Sequence, residues 1–146
     1  HPIRDRMVDA LQGKSDVYIS TKEWHPSMEV SNAEEFVGAS IMSKFILCPR
    51  GYGLSSFRLY EAMQLDAVPV YISDKFWAPY DGYELSWSDF CVMVKEEEIP
   101  NIHSILSSIT DEKYEMMKRK IEEVYENYFT LEGTCNKILQ MLELGV

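Results

Sequence analysis

At 146 residues, 46% of them hydrophobic and 26% charged, the chain has the length of one domain and enough apolar material for a packed core, which excludes disorder and a fibrous protein. Its net charge of −10 excludes general binding to nucleic acid or to an anionic membrane surface. No apolar run approaches the roughly 20 residues of a membrane span, so no direct membrane contact is expected from this segment, and no signal-peptide pattern is present.

The charge is unevenly spread. Residues 1–60 carry seven acids against seven Lys and Arg, so the whole excess lies beyond them. Four of the five arginines, Arg4, Arg6, Arg50 and Arg58, fall in that neutral part, where a local anion site is compatible with the acidic total. The three cysteines, Cys48, Cys91 and Cys135, are widely spaced and form no CxxC or Cys/His cluster. A disulfide framework or zinc site is therefore not expected, and Cys48 and Cys91 read as small buried hydrophobes. The chain opens on His1-Pro2 rather than Met, as a processed or excised piece would, and it has no Asn-x-Ser/Thr sequon.

In chain order, Arg4 to Gln12 reads as a helix stopped by Gly13. Asp16 to Ser20 is a short β-type run, and residues 21–31 form a loop. Ser31 or Asn32 is placed to cap a helix running through Ser43, with Glu34 and Glu35 in its first turn. Lys44 to Pro49 is an apolar strand, Arg50 to Leu54 a glycine-bearing turn, Ser55 to Leu65 a helix and Val68 to Ser73 a second strand. A long aromatic-rich loop covers Asp74 to Asp89, followed by a strand from Phe90 to Val94. Helices are expected over Asn101 to Ile109, from a Thr110 or Asp111 cap to about Tyr128, and over Leu131 to Leu144 before Gly145. Met116, Met117, Ile121, Val124 and Tyr125 read as the core face of the long helix.

Strands alternating with helices imply an α/β domain: a Rossmann-like parallel sheet with helices on both faces, over residues 1–146, with the C-terminal helices in 101–144. The strands are continuous apolar runs, as burial on both faces requires. In such sheets ligands bind outside the carboxyl ends of the strands, so the loops at 20–31, 49–55 and 74–89 should share one rim.

Pro49-Arg-Gly-Tyr-Gly-Leu-Ser-Ser-Phe-Arg-Leu-Tyr-Glu61 joins a buried strand to a helix through that rim. A helix start presents unpaired N–H groups and the positive end of the helix dipole, which together suit an anion. Gly51 and Gly53 permit close backbone approach and unusual dihedrals. Ser55 or Ser56 can cap the helix and offer a hydroxyl to a phosphate, and Arg50 can reach the same anion. Glu61, three residues after Arg58, can accept hydrogen bonds from vicinal ribose hydroxyls. The same residues also read as ordinary capping and a simple surface ion pair. The third glycine of a dinucleotide fingerprint is missing, and no Gly-Lys-Ser/Thr follows.

These blocks resemble the exostosin-like glycosyltransferases. The similarity runs through Ser43 to Gly51, Ser56 to Ala62, Val68 to Asp74, Trp77 to Tyr80, Trp87 to Val94 and Glu97 to Pro100, in family order and spacing. It implies the carboxyl-terminal Rossmann lobe of a two-lobed B-type glycosyltransferase, binding a UDP-sugar and inverting the anomeric centre. Carried over by position, Arg50, Ser56, Arg58 and Glu61 match the central motif, and Arg4 matches an arginine expected near the diphosphate. Asp74 falls at a strand end, where it faces the ligand or caps the loop, and Trp77 joins it as a possible substrate-loop residue. Asp66-Ala67 stands where the family has Gly-Cys, which puts the left-handed turn there in question, because Asp tolerates it less easily than Gly.

The nucleotide set is thus Arg4, Arg50, Gly51, Gly53, Ser55, Ser56, Arg58 and Glu61. Amides, hydroxyls and guanidiniums can stabilise the leaving diphosphate without a metal, so no metal and no cofactor beyond the UDP-sugar donor is expected. The catalytic base is expected in an N-terminal acceptor-binding lobe outside this chain, with His25, Asp74 and Glu23 as fallback candidates. The acceptor is a glycan or glycoconjugate. The compartment is the Golgi lumen for a eukaryotic member and the cytoplasm for a bacterial or viral one. Trp24, Phe76, Trp77, Tyr80, Tyr83 and Trp87 cluster in the rim loops, with Phe76 and Trp87 read as anchors of the loop, and Glu96 to Glu98 reads as a solvated strand end. The alternative is a non-catalytic nucleotide-sugar-binding or scaffold module of a glycosyltransferase complex.

Overall fold

The computed structural model describes residues 2–21 and 30–143, with side chains over 2–21 and 33–143. Helix α1 spans Pro2–Leu11 and buries Ile3 and Leu11. Pro2 suits the first helical position, where its missing N–H costs nothing. Gly13 follows the helix at φ +81°, a left-handed conformation that ends it as expected.

The β-type run at Asp16 to Ser20 is not a strand. Its backbone pairs with no strand among the described residues. Instead the Tyr18 and Ser20 hydroxyls donate to Glu35 Oε1, at 2.5 and 3.3 Å, docking the run on the next helix. That helix, α2, spans Val30–Ile41. Ser31 and Asn32 therefore lie inside it rather than capping it, and Glu34 and Glu35 fall outside its first turn. Glu23, Trp24 and His25 lie outside the described residues.

Strands β1 (Phe45–Pro49), β2 (Val68–Ile72) and β3 (Val92–Val94) form a parallel sheet in that order. All five residues of β2 are buried, which requires cover on both faces of the sheet. Pro69 is tolerated in this central strand because pairing with β3 begins only at Val70. Helix α3 (Phe57–Gln64) packs on β1 and β2, burying Leu59, Ala62 and Met63. It ends in a left-handed turn at Asp66, φ +59°. There Asp66 N donates to Met63 O and Ala67 N to Ala62 O, the paired bonds of a Schellman ending. Asp66 thus adopts the turn that glycine favours, and it also pairs with Lys118 Nζ at 2.5 Å.

The loop at 74–89 is anchored, not loose. Trp87 is buried, packs against Phe76, Phe90 and Phe129, and donates its indole N–H to Pro79 O at 3.0 Å. Tyr80 sits at φ +62°, held there by its carbonyl accepting the N–H groups of Tyr83, Glu84 and Leu85. Beyond β3 a 3₁₀ turn (Glu96–Asn101) leads into α4 (Ile102–Ser107), in place of a solvated strand end and a longer helix. The Glu98 carboxylate accepts the N–H of Lys95, closing that turn.

Helix α5 (Asp111–Val124) is capped by Thr110, whose hydroxyl accepts from Lys113 N. Met117, Ile121 and Val124 form its buried face, whereas Met116, one residue off that stripe, is 64% exposed and not a core residue. The chain then widens into a π-helical turn (Tyr125–Phe129) before α6 (Leu131–Glu143). Burial raises the Cys48 thiol pKa well above its ordinary value and pushes Cys91 up to about 12, so both behave as inert core residues. No helix among the described residues is long and apolar enough to cross a membrane.

Two expected outcomes follow from the C-terminal packing. A Cβ on Gly133 would lie 2.5 Å from Glu126 O and 2.6 Å from the Asn127 carbonyl carbon, both rigid backbone. Gly133→Ala should destabilise the fold by about 1–3 kcal/mol, read from urea unfolding; an unchanged midpoint would contradict the close contact. Glu84 accepts from Lys137 Nζ at 2.6 Å and Tyr128 Oη at 2.8 Å, tying the aromatic loop to the C-terminal helices. These partners, Lys137 first, hold the Glu84 carboxyl below its usual range. A lowered folded pKa means the stabilisation is complete above the unfolded value of about 4.3 and lost as pH falls through the folded one. Thermal melts should therefore show wild type above Glu84→Gln at pH 7, with the two converging in acid; a gap independent of pH would refute this.

Candidate functional site

The strand register builds the site. Pro49 pairs with Ile72 and Ile72 with Val94, so the three strands end level. The ladder runs one step further, with Arg50 N donating to Ile72 O and Ser73 N to Val94 O, both at 3.1 Å. The next residues of all three strands then emerge at one carboxyl-end rim. Two of the predicted rim loops, at 49–55 and 74–89, start here; most of the third, at 20–31, lies outside the described residues.

Buried Tyr71 couples these two loops. Its hydroxyl lies against the carbonyl oxygens of Leu54 and Lys75, the latter at 3.3 Å, so the glycine turn and the start of the aromatic loop share one hydroxyl. Ser73 assists, donating to Lys75 O at 2.6 Å and accepting from Lys75 N at 3.2 Å. Burial raises the Tyr71 hydroxyl above its ordinary pKa, so it remains a neutral group at physiological pH.

Arg50 is half-buried and points to Glu96: its Nε donates to Glu96 Oε1 at 2.7 Å and its Nη1 to Gly51 O at 3.2 Å. Glu96 is held from two further sides. Its N–H donates to Asp74 Oδ1 at 2.9 Å, and its carbonyl accepts from Arg6 of α1. Asp74 is exposed, and its Oδ1 caps the start of the 3₁₀ turn at Glu96. Arg6, Asp74, Lys95, Glu96 and Glu97 line a cleft of about 440 Å³ beside this junction. Arg4 is exposed on α1, the helix that packs on the 3₁₀ turn, and among the described residues it makes no hydrogen bond or ion pair.

Further along the turn, Ser56 takes the extended N-cap backbone of α3, φ −135° and ψ 122°, but its hydroxyl makes no cap hydrogen bond. Ser55 is exposed. Gly51 and Gly53 do not use left-handed backbone, and a Cβ on either would meet no atom within 4 Å. Arg58 pairs with Glu61 at 3.1 Å and lays its guanidinium over the Phe36 ring of α2, 4.0 Å from the centroid. Both partners are more than a third exposed, so the ion pair itself contributes little to stability. Trp77 stands 55% exposed at the rim, whereas Phe76 is packed between Tyr71 and Trp87.

The structure thus joins Arg50 to Gly51 and Arg58 to Glu61, and it sets Ser56 at the start of the helix that carries the second pair. It adds Glu96, Arg6, Tyr71 and Phe36, which the sequence reading did not assign. Glu96 lay hidden in an acidic run that looked solvated. Among the described residues, no group of three or more His, Cys, Asp or Glu is arranged to hold a metal ion.

The family model described as the exostosin GT47 domain matches residues 1–109. A probable glycosyltransferase of Arabidopsis thaliana is 40% identical over 86 residues, 59% of this chain and 18% of that protein. Exostosin-1 of Drosophila melanogaster is 30% identical over 97 residues, 66% of this chain and 12% of that protein. A probable glucuronosyltransferase of Oryza sativa subsp. japonica is 40% identical over 67 residues, 46% of this chain and 16% of that protein. The chain therefore spans less than a fifth of the length of these curated relatives.

Tyr71 gives the direct check on the rim. Tyr71→Phe should cost about 1–2 kcal/mol, because it strips a buried hydroxyl from two carbonyls, and should speed amide exchange in both loops. Unaltered exchange in either loop would mean that Tyr71 does not couple them.

Proposed function

The chain belongs to the exostosin GT47 family, and on that premise we propose that it forms the donor-nucleotide site of an inverting glycosyltransferase, holding a UDP-sugar at the carboxyl-end rim. The observation that carries this reading is Ser56: it occupies the N-cap of α3 without using its hydroxyl as a cap. The hydroxyl and the first amides of α3 are then available to a diphosphate, with the helix dipole favouring its charge. On this reading Arg50, just past the end of β1, reaches the same diphosphate, and Gly51 and Gly53 leave room above the turn. Arg4 and Arg6 add positive charge from α1.

Glu61 is the residue for the ribose. It lies one and a half turns into the helix, and its carboxylate is 47% exposed, so it can accept from vicinal hydroxyls while Arg58 stays on its other side. Arg58, stacked on Phe36, orients that carboxylate. Trp77 and Asp74 border the rim where the sugar would extend.

In the transfer, an acceptor hydroxyl of a glycan attacks the anomeric carbon and UDP departs with its bond electrons. Charge develops on the β-phosphate oxygen. The helix amides, the Ser56 hydroxyl and the guanidiniums stabilise it without a metal ion. On this reading the base that takes the acceptor proton lies outside this chain, in an acceptor-binding lobe. On this reading the α/β domain is the C-terminal Rossmann lobe of a B-type fold. The Golgi lumen is its compartment in a eukaryotic source, the cytoplasm in a bacterial or viral one.

Calorimetric titration of UDP into the folded chain tests the reading, with a Kd at or below about 1 mM expected. Glu61→Ala should weaken binding by about 1–3 kcal/mol, since two ribose hydroxyls lose their acceptor. Absence of binding at millimolar UDP would sink the donor site; unchanged affinity in Glu61→Ala would remove Glu61 from it. Donor hydrolysis by the chain alone would contradict a base located elsewhere.

A further inference from the structure

We propose that Glu96 is a positioning residue for Arg50: it grips one edge of the guanidinium and turns the remaining N–H groups toward an anionic nucleoside diphosphate. The inference rests on the donor-site reading above and adds a residue that the central motif does not contain.

Glu96 is unusually well fixed. Its amide is held by Asp74 after β2, its carbonyl by Arg6 of α1, and its own backbone begins the 3₁₀ turn after β3. Side-chain rotation is therefore its main remaining freedom, and the 2.7 Å bond to Arg50 Nε removes that. Only 15% of the Glu96 side chain and 27% of the Arg50 side chain are exposed, in contrast to the open Arg58–Glu61 pair. A pair this sheltered loses less to solvent screening and to side-chain entropy than a surface one.

The donor count shows what is left for a ligand. A guanidinium has five N–H groups. Nε–H goes to Glu96 and one Nη1–H to Gly51 O, so three remain. They include both hydrogens of Nη2, on the fork that binds phosphate oxygens in parallel. Arg50 N is itself fixed to Ile72 O, so the side chain is anchored at its base and at its Nε edge. An arginine held at both points loses little entropy when it meets an anion. The opposing effect is that the Glu96 charge offsets that of Arg50. The geometry favours orientation over bare charge, and the two effects separate by substitution: glutamine keeps an acceptor for Nε and drops the charge, whereas alanine drops both.

The experiment is UDP titration by calorimetry into wild type, Glu96→Gln, Glu96→Ala, Arg50→Lys and Arg50→Lys/Glu96→Ala, each checked for folding by circular dichroism. Arg50→Lys and Glu96→Ala should each weaken binding about tenfold, while Glu96→Gln stays within about threefold of wild type, as orientation through an acceptor requires. The double variant should be no weaker than the worse single by more than about threefold, because both remove the same oriented contact. If Glu96→Ala does not fold, Glu96→Asp, one methylene too short to hold Nε, takes its place with a loss of severalfold expected. Wild-type affinity in Glu96→Ala or Glu96→Asp beside a weakened Arg50→Lys overturns the inference and leaves the donor site standing. Additive losses in the double variant also overturn it. Failure of wild type to bind UDP overturns the donor reading and this inference together.

Discussion

The structure turns on the junction at Glu96, where one residue is held through its amide, its carbonyl and its carboxylate by three different segments. Parallel strands cannot be joined by tight turns, so each strand end departs on a separate excursion. The level register of β1, β2 and β3 brings those departures together, but register alone does not fix the loops. Asp74, Arg50 and Arg6 converge on Glu96 and do. Tyr71 provides a second tie, from inside the core, between the glycine turn and the aromatic loop. The candidate site is therefore made of loops that behave as extensions of the sheet.

The consequence for electrostatics is that Arg50 and Arg58 are not bare charges. Each has one side of its guanidinium satisfied by a carboxylate, Glu96 or Glu61. Such a rim does not attract anions indiscriminately, in keeping with a net charge of −10. It offers oriented N–H groups in a small region beside a helix start. On the proposed reading, that arrangement suits recognition of one diphosphate better than steering of many.

Much of the fold was legible because its signals are local. Apolar runs marked β1 and β2, Gly13 marked the end of α1, and Thr110 marked the start of α5. The left-handed turn at Asp66 was left in question by the absence of the family glycine, and the chain makes it with an aspartate. What failed depended on partners distant in sequence. Asp16 to Ser20 has strand-like composition, yet composition does not provide a neighbouring strand, and Tyr18 and Ser20 dock on α2 while Asp16 pairs with His103 on α4. Met116 fits a helical stripe by type, but the stripe is set by what α5 packs against.

The site divides along the same line. Arg50, Ser56, Arg58 and Glu61 were legible because a strand, a turn and a helix follow one another in a single short stretch. Glu96 lies 46 residues from Arg50 and meets it only because the strands end level, and Arg6 reaches Glu96 from α1. Phe36 supports Arg58 from a helix whose sequence carries no chemical signature. The most direct test of the account is an amide NMR spectrum of the chain with and without UDP. The account predicts shifts confined to the Arg50 to Glu61 stretch, to Lys95 and Glu96, and to Arg4 and Arg6; no shifts, or shifts centred on α5 and α6, would contradict it.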